Sequence, residues 1–280
     1  QNATDVYIYF EVPTSVLDNI IKYCRDHNYT VCDIAWPRVY YYDQTSGQQI
    51  QMENVTYLSG YSEYNAPYNF TVYFSYLPNG THYFVIYYPW YFWEDFEDNE
   101  RSTLSSVGQC FKDGWCVVAY FNNGYYYTYA QIVSSGFDPT PVQRLYLNSG
   151  ICNGCYIVLR RSVNMSVNPN NLFLIAEWNW TVSNNYWIGF EFLLTNGSNT
   201  TIYYGSGYYY VPAGVNVCKM VNIGSGYIKV DLLRDLSCSC NIYLQNVSKL
   251  LNIYLGVKDY YYLYIDNIKV VPWDIINYYP

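Results

Sequence analysis

The feature that most constrains the fold is a long series of short segments in which apolar and polar side chains alternate. Such segments recur from NFTVYFSYL, which starts at Asn69, to YYLYIDNIKVV, which starts at Tyr261. Turn sequences such as NNG, TNGSN and NPNN separate them, without intervening helical stretches. Alternation with a period of two is typical of strands that bury one face. The series therefore predicts an all-β protein built as sandwiches or jelly rolls.

One segment near the N-terminus departs from this pattern. After Pro13, Ser15 is placed to cap a helix and Asp18 lies at the capping-box position. Apolar residues then recur at helical spacing on one face. The chain has 280 residues, of which 51% are apolar, so it is long enough for two cores. We predict two β-sandwich domains and one short N-terminal helix.

Charge and hydropathy exclude two classes of partner. The formal net charge is −8 and only 13% of the residues are charged. The sequence has no stripe of basic residues, so it lacks the positive charge that binds the phosphate backbone of nucleic acids. It also lacks a run of 18 apolar residues, so no membrane span is predicted. The chain opens at Gln1 without Met or a signal region, which is typical of a mature secreted protein.

Ten Asn-x-Ser/Thr sequons indicate an extracellular, N-glycosylated surface protein. They begin at Asn2, Asn28, Asn54, Asn69, Asn79, Asn164, Asn179, Asn196, Asn199 and Asn246. The alternative is that an Asn-rich composition produces incidental matches.

Nine cysteines favour the same oxidising compartment. They are Cys24, Cys32, Cys110, Cys116, Cys152, Cys155, Cys218, Cys238 and Cys240. Their close pairing in sequence predicts bridges Cys24–Cys32 and Cys110–Cys116, and one from Cys218 to either Cys238 or Cys240. Alternatively, the CxxC at Cys152 and the CxC at Cys238 supply four thiolates to a zinc ion. An odd count leaves one cysteine free, modified or intermolecular.

The order of motifs resembles that of a known kind of protein. VYIYFEV, the helix, TVCDIAWPRVYYYDQTSGQQI, NFTVYFSYLPNGTHYFVIYYP and FWEDFED follow one another. This order resembles an uncharacterised β-rich surface domain of archaeal and bacterial exported proteins. In those proteins a DFED-type stretch opens a concanavalin A-like (laminin-G-like) jelly roll, which closes on a strand with Y-x-D-N-x-x-V. Here the closing strand is YLYIDNIKV. The resemblance implies domains at residues 1–93 and 94–280, the second a jelly roll.

The domain boundary falls in an acidic cluster, YFWEDFEDNE, which starts at Tyr91. In jelly-roll carbohydrate-binding modules of similar build, acidic residues at the opening and the Asp of the last strand hold a structural calcium. The resemblance thus implies calcium ligands at Asp95, Glu97 and Asp266, since calcium binds six to eight oxygens. The alternative is a solvated linker. No other cofactor is predicted.

Catalytic residues are not evident, so we predict that the chain is not an enzyme. Glucanases of the concanavalin A-like class carry E-x-D-x-E on one strand, which is absent. Glu177 and Glu191 are candidates to face each other on neighbouring strands, but isolated polar positions explain them as well. His27 and His82 have no Ser or Cys placed for a triad.

Two functions remain. The ordered, apolar N-terminal strand favours a structural subunit of an extracellular filament or surface layer, assembled with copies of itself by β-strand donation. Archaeal strand-donating filaments are similar in style, being Tyr-rich, glycosylated and all-β. The alternative is a lectin-like adhesion module that binds surface polysaccharide through clustered aromatic residues: Trp178, Trp180, Tyr186 and Trp187. Core packing is the other explanation of that cluster.

Overall fold

The computed structural model describes residues 3–26, 33–34, 37–43, 48–52, 54–58, 67–88, 90–94, 96, 102–124, 127–134, 143–167, 174–182 and 184–272. The chain divides into two compact units, Gln1–Tyr91 and Phe92–Ile276. Both consist mainly of β-strands, as predicted. No helix among the described residues is long and apolar enough to cross a membrane.

The first unit contains two small antiparallel sheets and one helix. Its elements are β1 (Ala3–Glu11), α1 (Thr14–Asp26), β2 (Asp33–Ile34), β3 (Arg38–Asp43), β4 (Gln48–Gln51), β5 (Val55–Tyr57), β6 (Asn69–Leu77) and β7 (Tyr83–Tyr87), and the chain leaves it within β8 (Trp90–Glu94). The sheet orders are β1-β6-β5 and β4-β3-β7. Helix α1 occupies the segment that the sequence predicted, but it begins at Thr14, so Ser15 lies in its first turn and does not precede the helix as a cap.

Strand β1 completes the core of its own unit. It pairs antiparallel with β6 from Ala3 to Glu11. Val6, Ile8 and Phe10 pack against the buried core, which includes Phe70. The intervening Tyr7 is 69% exposed. The strand therefore has one apolar and one tyrosine-bearing face, as the alternation in its sequence predicts.

The second unit is a jelly-roll sandwich of two larger sheets. Its elements are β9 (Thr103–Leu104), β10 (Trp115–Phe121), β11 (Tyr129–Val133), β12 (Arg144–Asn148), β13 (Tyr156–Ser166), β14 (Leu174–Val182), β15 (Tyr186–Leu194), β16 (Asn199–Ser206), β17 (Val217–Asn222), β18 (Gly226–Asp231), α2 (Leu232–Cys240), a 3-10 turn (Leu244–Asn246), β19 (Val247–Lys258) and β20 (Tyr262–Pro272). One sheet has six strands in the order β10-β13-β19-β15-β16-β17. The eight-stranded sheet has the order β18-β14-β20-β12-β11-β9; its other two strands are β8, which pairs with β20, and β2, which pairs with β8.

Large aromatic side chains fill the space between these two sheets. Trp178 of β14 packs against Phe190 of β15 and Tyr204 of β16, with ring centroids 5.8 and 5.9 Å apart. Trp180 meets Tyr186 edge to face at 4.4 Å. Because β14 belongs to one sheet and β15 and β16 to the other, these contacts hold the two layers together.

Helix α2 corrects the expectation that the N-terminal helix is the only one. The sequence GYIKVDLL predicted a strand through Leu233, but β18 ends at Asp231. The Asp231 carboxylate accepts a hydrogen bond from the backbone N–H of Arg234 at 2.9 Å and caps the helix. Leu232, Leu233 and Leu236 are buried. A cap and three Leu at helical spacing thus override the β pattern that precedes them.

The disulfides follow the predicted local pairing. Cys110–Cys116 is present, which confirms that prediction, and Cys218 pairs with Cys240 rather than with Cys238. Cys152 and Cys155 are bridged to each other. The Cys24–Cys32 prediction lies outside the described residues. Cys238 is the exposed free cysteine of the described chain. Because Cys152, Cys155 and Cys240 are all in disulfides, the zinc alternative is wrong.

Candidate functional site

The outer face of the six-stranded sheet combines polar and aromatic side chains. Along β15, Tyr186 and Phe190 point into the sandwich core, so Trp187 and Glu191 point to the opposite face. Pairing places Tyr203 and Thr201 of β16 beside them on one side. Tyr254 and Asn252 of β19 lie on the other side. We call these six residues the Glu191 face.

Glu191 is the centre of the polar half of this face. It is 6% exposed, and its six-stranded sheet carries no other carboxylate in its strands. Its Oε2 accepts hydrogen bonds from the Tyr254 hydroxyl at 2.7 Å and from Asn252 Nδ2 at 2.6 Å. Oε1 accepts from Asn199 Nδ2 at 3.1 Å. Neutral donors thus hold the carboxylate, and charge-assisted bonds of this kind are strong.

The rim of the polar half reaches solvent. Arg160 is exposed, and its side chain lies close enough to the Tyr254 hydroxyl to form a hydrogen bond that lowers the phenol pKa. Burial, followed by the hydrogen bond to Glu191, has the larger effect and raises the pKa of Tyr254 above its ordinary value. Asn199 is exposed and Asn252 half-buried. Tyr254 therefore remains a neutral hydrogen-bond donor at every physiological pH.

The aromatic half is covered by the segment that joins β16 to β17. These strands are parallel, so residues 207–216 must cross between them, and this crossover segment passes over the outer face. Tyr209 lies 5.6 Å from Tyr203 and 6.3 Å from Trp187, centroid to centroid. Val211 and Val215 pack against the same cluster. Trp187 and Tyr203 are consequently fully buried.

Two glycines allow the close approach of rings to this sheet. A Cβ on Gly256 would lie 2.2 Å from the Trp187 indole, and one on Gly189 would lie 2.2 Å from the Tyr203 ring. Both rings therefore lie against bare backbone of the neighbouring strand. Gly189 and Gly256 therefore have a packing role in the interior of their strands.

Three buried polar atoms of the Glu191 face have no hydrogen-bond partner among the described residues. They are the Trp187 Nε1, the Tyr203 hydroxyl and the Thr201 hydroxyl. Burial, followed by Tyr254 and Glu191 nearby, raises the pKa of Tyr203 well above its ordinary value. An unpartnered buried donor costs about 1–3 kcal/mol. Three of them on one face of one sheet are unmet hydrogen-bonding capacity, which a polar ligand or buried water would satisfy.

The aromatic residues predicted to bind sugar lie in other surroundings. Trp178, Trp180 and Tyr186 are in the sandwich core, at 0, 1 and 3% exposure. Trp187 is on the Glu191 face but beneath the crossover segment. These side chains are therefore not the exposed platform that the sequence predicted. The cause is that the sandwich core covers the inner faces of β14 and β15, while residues 207–216 cover the outer face of β15 at Trp187.

The predicted calcium ligands are only partly within the described chain. Asp95 and Glu97 lie outside the described residues. Asp266 is buried, accepts a hydrogen bond from the backbone N–H of Asn267 at 2.7 Å and lies 3.9 Å from Arg144 Nε. No group of three or more His, Cys, Asp or Glu side chains among the described residues could hold a metal ion. Calcium remains a prediction from the sequence.

Glu94 of the acidic cluster is buried in the second unit. Its carboxyl group accepts hydrogen bonds from Trp115 Nε1 and from the backbone N–H of Phe96, both at 3.0 Å. Burial, and then the neighbouring Asp113 carboxylate, raises the pKa of Glu94 to about 8. Glu94 is therefore a residue of the core of the second unit whose environment favours the protonated form, and it is not part of a solvated linker.

Most predicted glycosylation sites with described side chains are accessible. Exposed sites are Asn54, Asn79, Asn179, Asn196, Asn199 and Asn246. Asn69 and Asn164 are half-buried. Asn2 and Asn28 lie outside the described residues. Exposure at six positions is what N-glycosylation requires, and the modification itself stays a prediction.

Glu177 and Glu191 do not face each other. Glu177 lies on β14 of the eight-stranded sheet and Glu191 on β15 of the six-stranded sheet. The Glu177 carboxylate accepts a hydrogen bond from the Tyr227 hydroxyl and lies 3.8 Å from Lys269 Nζ. His82 contacts the Tyr41 hydroxyl and the Pro78 carbonyl, and His27 lies outside the described residues. The sequence could not show which sheet Glu191 belongs to, because period-two alternation does not tell which sheet a strand joins.

Comparison with known proteins gives structural likeness only. No family model matches the sequence, and no curated protein is similar to it. A family 12 xyloglucanase from Bacillus licheniformis is 8% identical with a TM-score of 0.39, covering 61% of this chain and 99% of the other. The family 11 carbohydrate-binding module of a Clostridium thermocellum cellulosomal cellulase is 12% identical with a TM-score of 0.33, covering 62% and 95%. The Trichoderma harzianum endoglucanase 3 of family GH12 is 8% identical, with a TM-score of 0.36 and coverage of 64% and 96%.

These structures correct one prediction from the sequence. The expectation that the chain is not an enzyme is wrong as it stands, because the similar structures include several glycoside hydrolases.

Proposed function

We propose that the protein binds carbohydrate on the Glu191 face. The observation that carries the proposal is a buried carboxylate held by neutral donors, with three unpartnered buried polar atoms on the same face of the sheet. The likeness to xyloglucanases and to a carbohydrate-binding module agrees with this proposal but does not carry it.

The chemistry of the face suits a sugar. Each sugar hydroxyl both donates and accepts hydrogen bonds, so it pairs equally well with a carboxylate oxygen and with an amide or phenol. Glu191 offers acceptors, whereas Asn252 and Arg160 offer donors at the solvent-exposed rim. The Tyr203 and Trp187 groups lie deeper, beneath residues 207–216. A polyol bound at the rim therefore pairs first with Glu191, Asn252 and Arg160, and supplies hydrogen bonds to the deeper groups only if this segment moves aside.

A binding assay with matched variants tests the proposal. Immobilised mono-, oligo- and polysaccharides are screened with the intact protein, and the retained sugars are titrated by calorimetry. Glu191→Gln keeps the shape of the side chain but removes its charge, so we expect at least a tenfold loss of affinity, or about 1.4 kcal/mol. Glu177→Gln on the other sheet is the control and should bind as the unaltered protein does.

Two results would overturn the proposal. One is that no sugar is retained in the screen. The other is that Glu191→Gln and Glu177→Gln weaken binding equally, since the sugar would then not contact the Glu191 face. Hydrolysis of every retained oligosaccharide should be followed in the same samples, because binding is also the first step of a reaction.

The filament hypothesis has no comparable support. Strand β1 is paired with β6 of the same chain and fills the core of its own unit. The disulfides are consistent with a secreted protein. Strand donation to a neighbouring copy therefore stays a prediction from the sequence, which electron microscopy of the native material tests directly.

A further inference from the structure

Asn179 projects from the middle of the outer face of the eight-stranded sheet. It lies on β14 between Trp178 and Trp180, which are both buried in the core, so its own side chain points the opposite way. Asn179 is exposed and begins the sequon Asn179-Trp180-Thr181. A glycan attached here leaves the protein from within a sheet and not from a loop.

Tyrosine lies directly beside this sequon on the neighbouring strand β18. Asn179 is paired across the strands with Tyr227. Residues paired in this way have Cβ atoms about 5 Å apart on the same face. Tyr227 is 65% exposed, but its hydroxyl donates a hydrogen bond to Glu177, two residues before Asn179 on the same face. The phenol ring is thus held beside Asn179 while remaining open to solvent.

A second group of tyrosines lies on the other side of β14. Thr181 of the sequon is paired with Tyr264 of β20. Tyr264 is one of four tyrosines that contact one another on β11, β12 and β20, with centroid distances from 4.6 to 6.3 Å. These four, Tyr129, Tyr146, Tyr262 and Tyr264, form what we call the tyrosine surface. Adjacent strands are about 4.8 Å apart, so it begins one strand away from Asn179.

We propose that an N-linked glycan on Asn179 lies over the outer face of the eight-stranded sheet, with its first sugars against Tyr227 and Tyr264. Aromatic faces carry negative potential, and the C–H groups of a pyranose ring pack on them with favourable dispersion. Because the glycan is covalently attached, its effective concentration at these rings is high and weak contacts suffice. The exposed parts of Tyr227 and of the tyrosine surface are then covered by the sugars of the same chain.

Occupancy of the site is the first test. Peptide mass mapping of the natively produced protein should find a glycan on Asn179. An unmodified Asn179 overturns the proposal.

A double-mutant cycle tests the contact itself. Tyr227→Ser should lower the melting temperature by about 2–4 °C more in the glycosylated protein than in an Asn179→Gln background. Tyr227→Phe is the matched control, because it keeps the ring and loses only the hydroxyl, so the glycan-dependent part of the loss should be small. Asn196→Gln is the second control, since this exposed sequon lies in a turn and its removal should leave the effect of Tyr227→Ser unchanged.

Equal losses for Tyr227→Ser with and without the Asn179 glycan would overturn the contact with Tyr227. The same cycle with Tyr264→Ser tests the other side of β14, and additivity there would overturn the contact with Tyr264. Both outcomes are independent of whether a free sugar binds the Glu191 face.

Discussion

Each of the two sheets of the second unit contains a buried carboxylate, and the two carboxylates have different hydrogen-bond and charge partners. On the six-stranded sheet, Glu191 is held by neutral donors and lies among polar groups without partners. On the eight-stranded sheet, Glu177 lies 3.8 Å from the ammonium of Lys269 and accepts a hydrogen bond from Tyr227. A charge neutralised by a neighbouring ammonium is typical of a structural position. A charge beside unmet hydrogen-bonding capacity leaves polar groups that a ligand can satisfy, and the Glu191 face has this property.

The largest effect is expected where the two sheets meet. Trp178→Ala removes a fully buried ring that contacts Phe190 and Tyr204 of the opposite sheet. We expect a loss of about 3–5 kcal/mol in the free energy of unfolding, because a large cavity forms between the layers. Denaturant unfolding monitored by circular dichroism measures it, with Tyr208→Ala at a 77% exposed position as control. A loss below about 1 kcal/mol would contradict this account of the core.

A pH dependence is expected next, from Glu94. Its strand β8 pairs with β20 of the eight-stranded sheet, and its carboxyl group accepts the indole N–H of Trp115 on the six-stranded sheet. The folded pKa of about 8 is above the unfolded value of 4.5, so the folded protein binds the proton more tightly. Its contribution is fully present below about pH 4.5 and is lost as the pH rises towards 8, by about 1.4 kcal/mol per pH unit at most.

Thermal unfolding from pH 5 to pH 8 measures the contribution of Glu94 to stability. The melting temperature should fall across the range in the unaltered protein and fall less in Glu94→Gln, whose amide does not ionise. Parallel curves for the two proteins would show that Glu94 does not titrate in this range.

A smaller effect separates the two buried carboxylates. Glu177→Gln takes the negative charge away from Lys269, which is only 5% exposed, and should cost about 2–3 kcal/mol. Glu191→Gln replaces an acceptor among neutral donors and should cost about 1 kcal/mol. Denaturant midpoints of the two variants decide the order. If Glu191→Gln proves the more destabilising, Glu191 is the structural carboxylate and the contrast between the sheets is reversed.

The smallest effect should come from Tyr203→Phe. The hydroxyl it removes is buried and makes no hydrogen bond in the described chain, so stability should change by less than about 0.5 kcal/mol or rise slightly. Calorimetry on the same variant should nevertheless show weaker binding of any sugar that the unaltered protein retains. A destabilisation above about 1 kcal/mol would mean that the hydroxyl has a structural partner, such as buried water.

Local features of the fold were predictable because they depend on neighbours in sequence. The position of α1, the strands from β6 onward and the Cys110–Cys116 bridge all depend on residues close together in sequence. Helix α2 was missed because Leu232 directly continues the alternation of Ile228 and Val230 in β18. The Glu191 face was missed because its residues come from β15, β16 and β19, which are up to about 70 positions apart.

The sequence by itself determined that the protein is built of strands, since side chains that alternate with a period of two match a pleated backbone and little else. Alternation defines two faces for every strand but not what covers each of them. Only the tertiary structure decided that Trp178 and Trp180 fill the sandwich, that residues 207–216 cover Trp187, and that Asn179 lies beside Tyr227. Those outcomes depend on strand order and sheet stacking, which bring distant residues together and which no local pattern records.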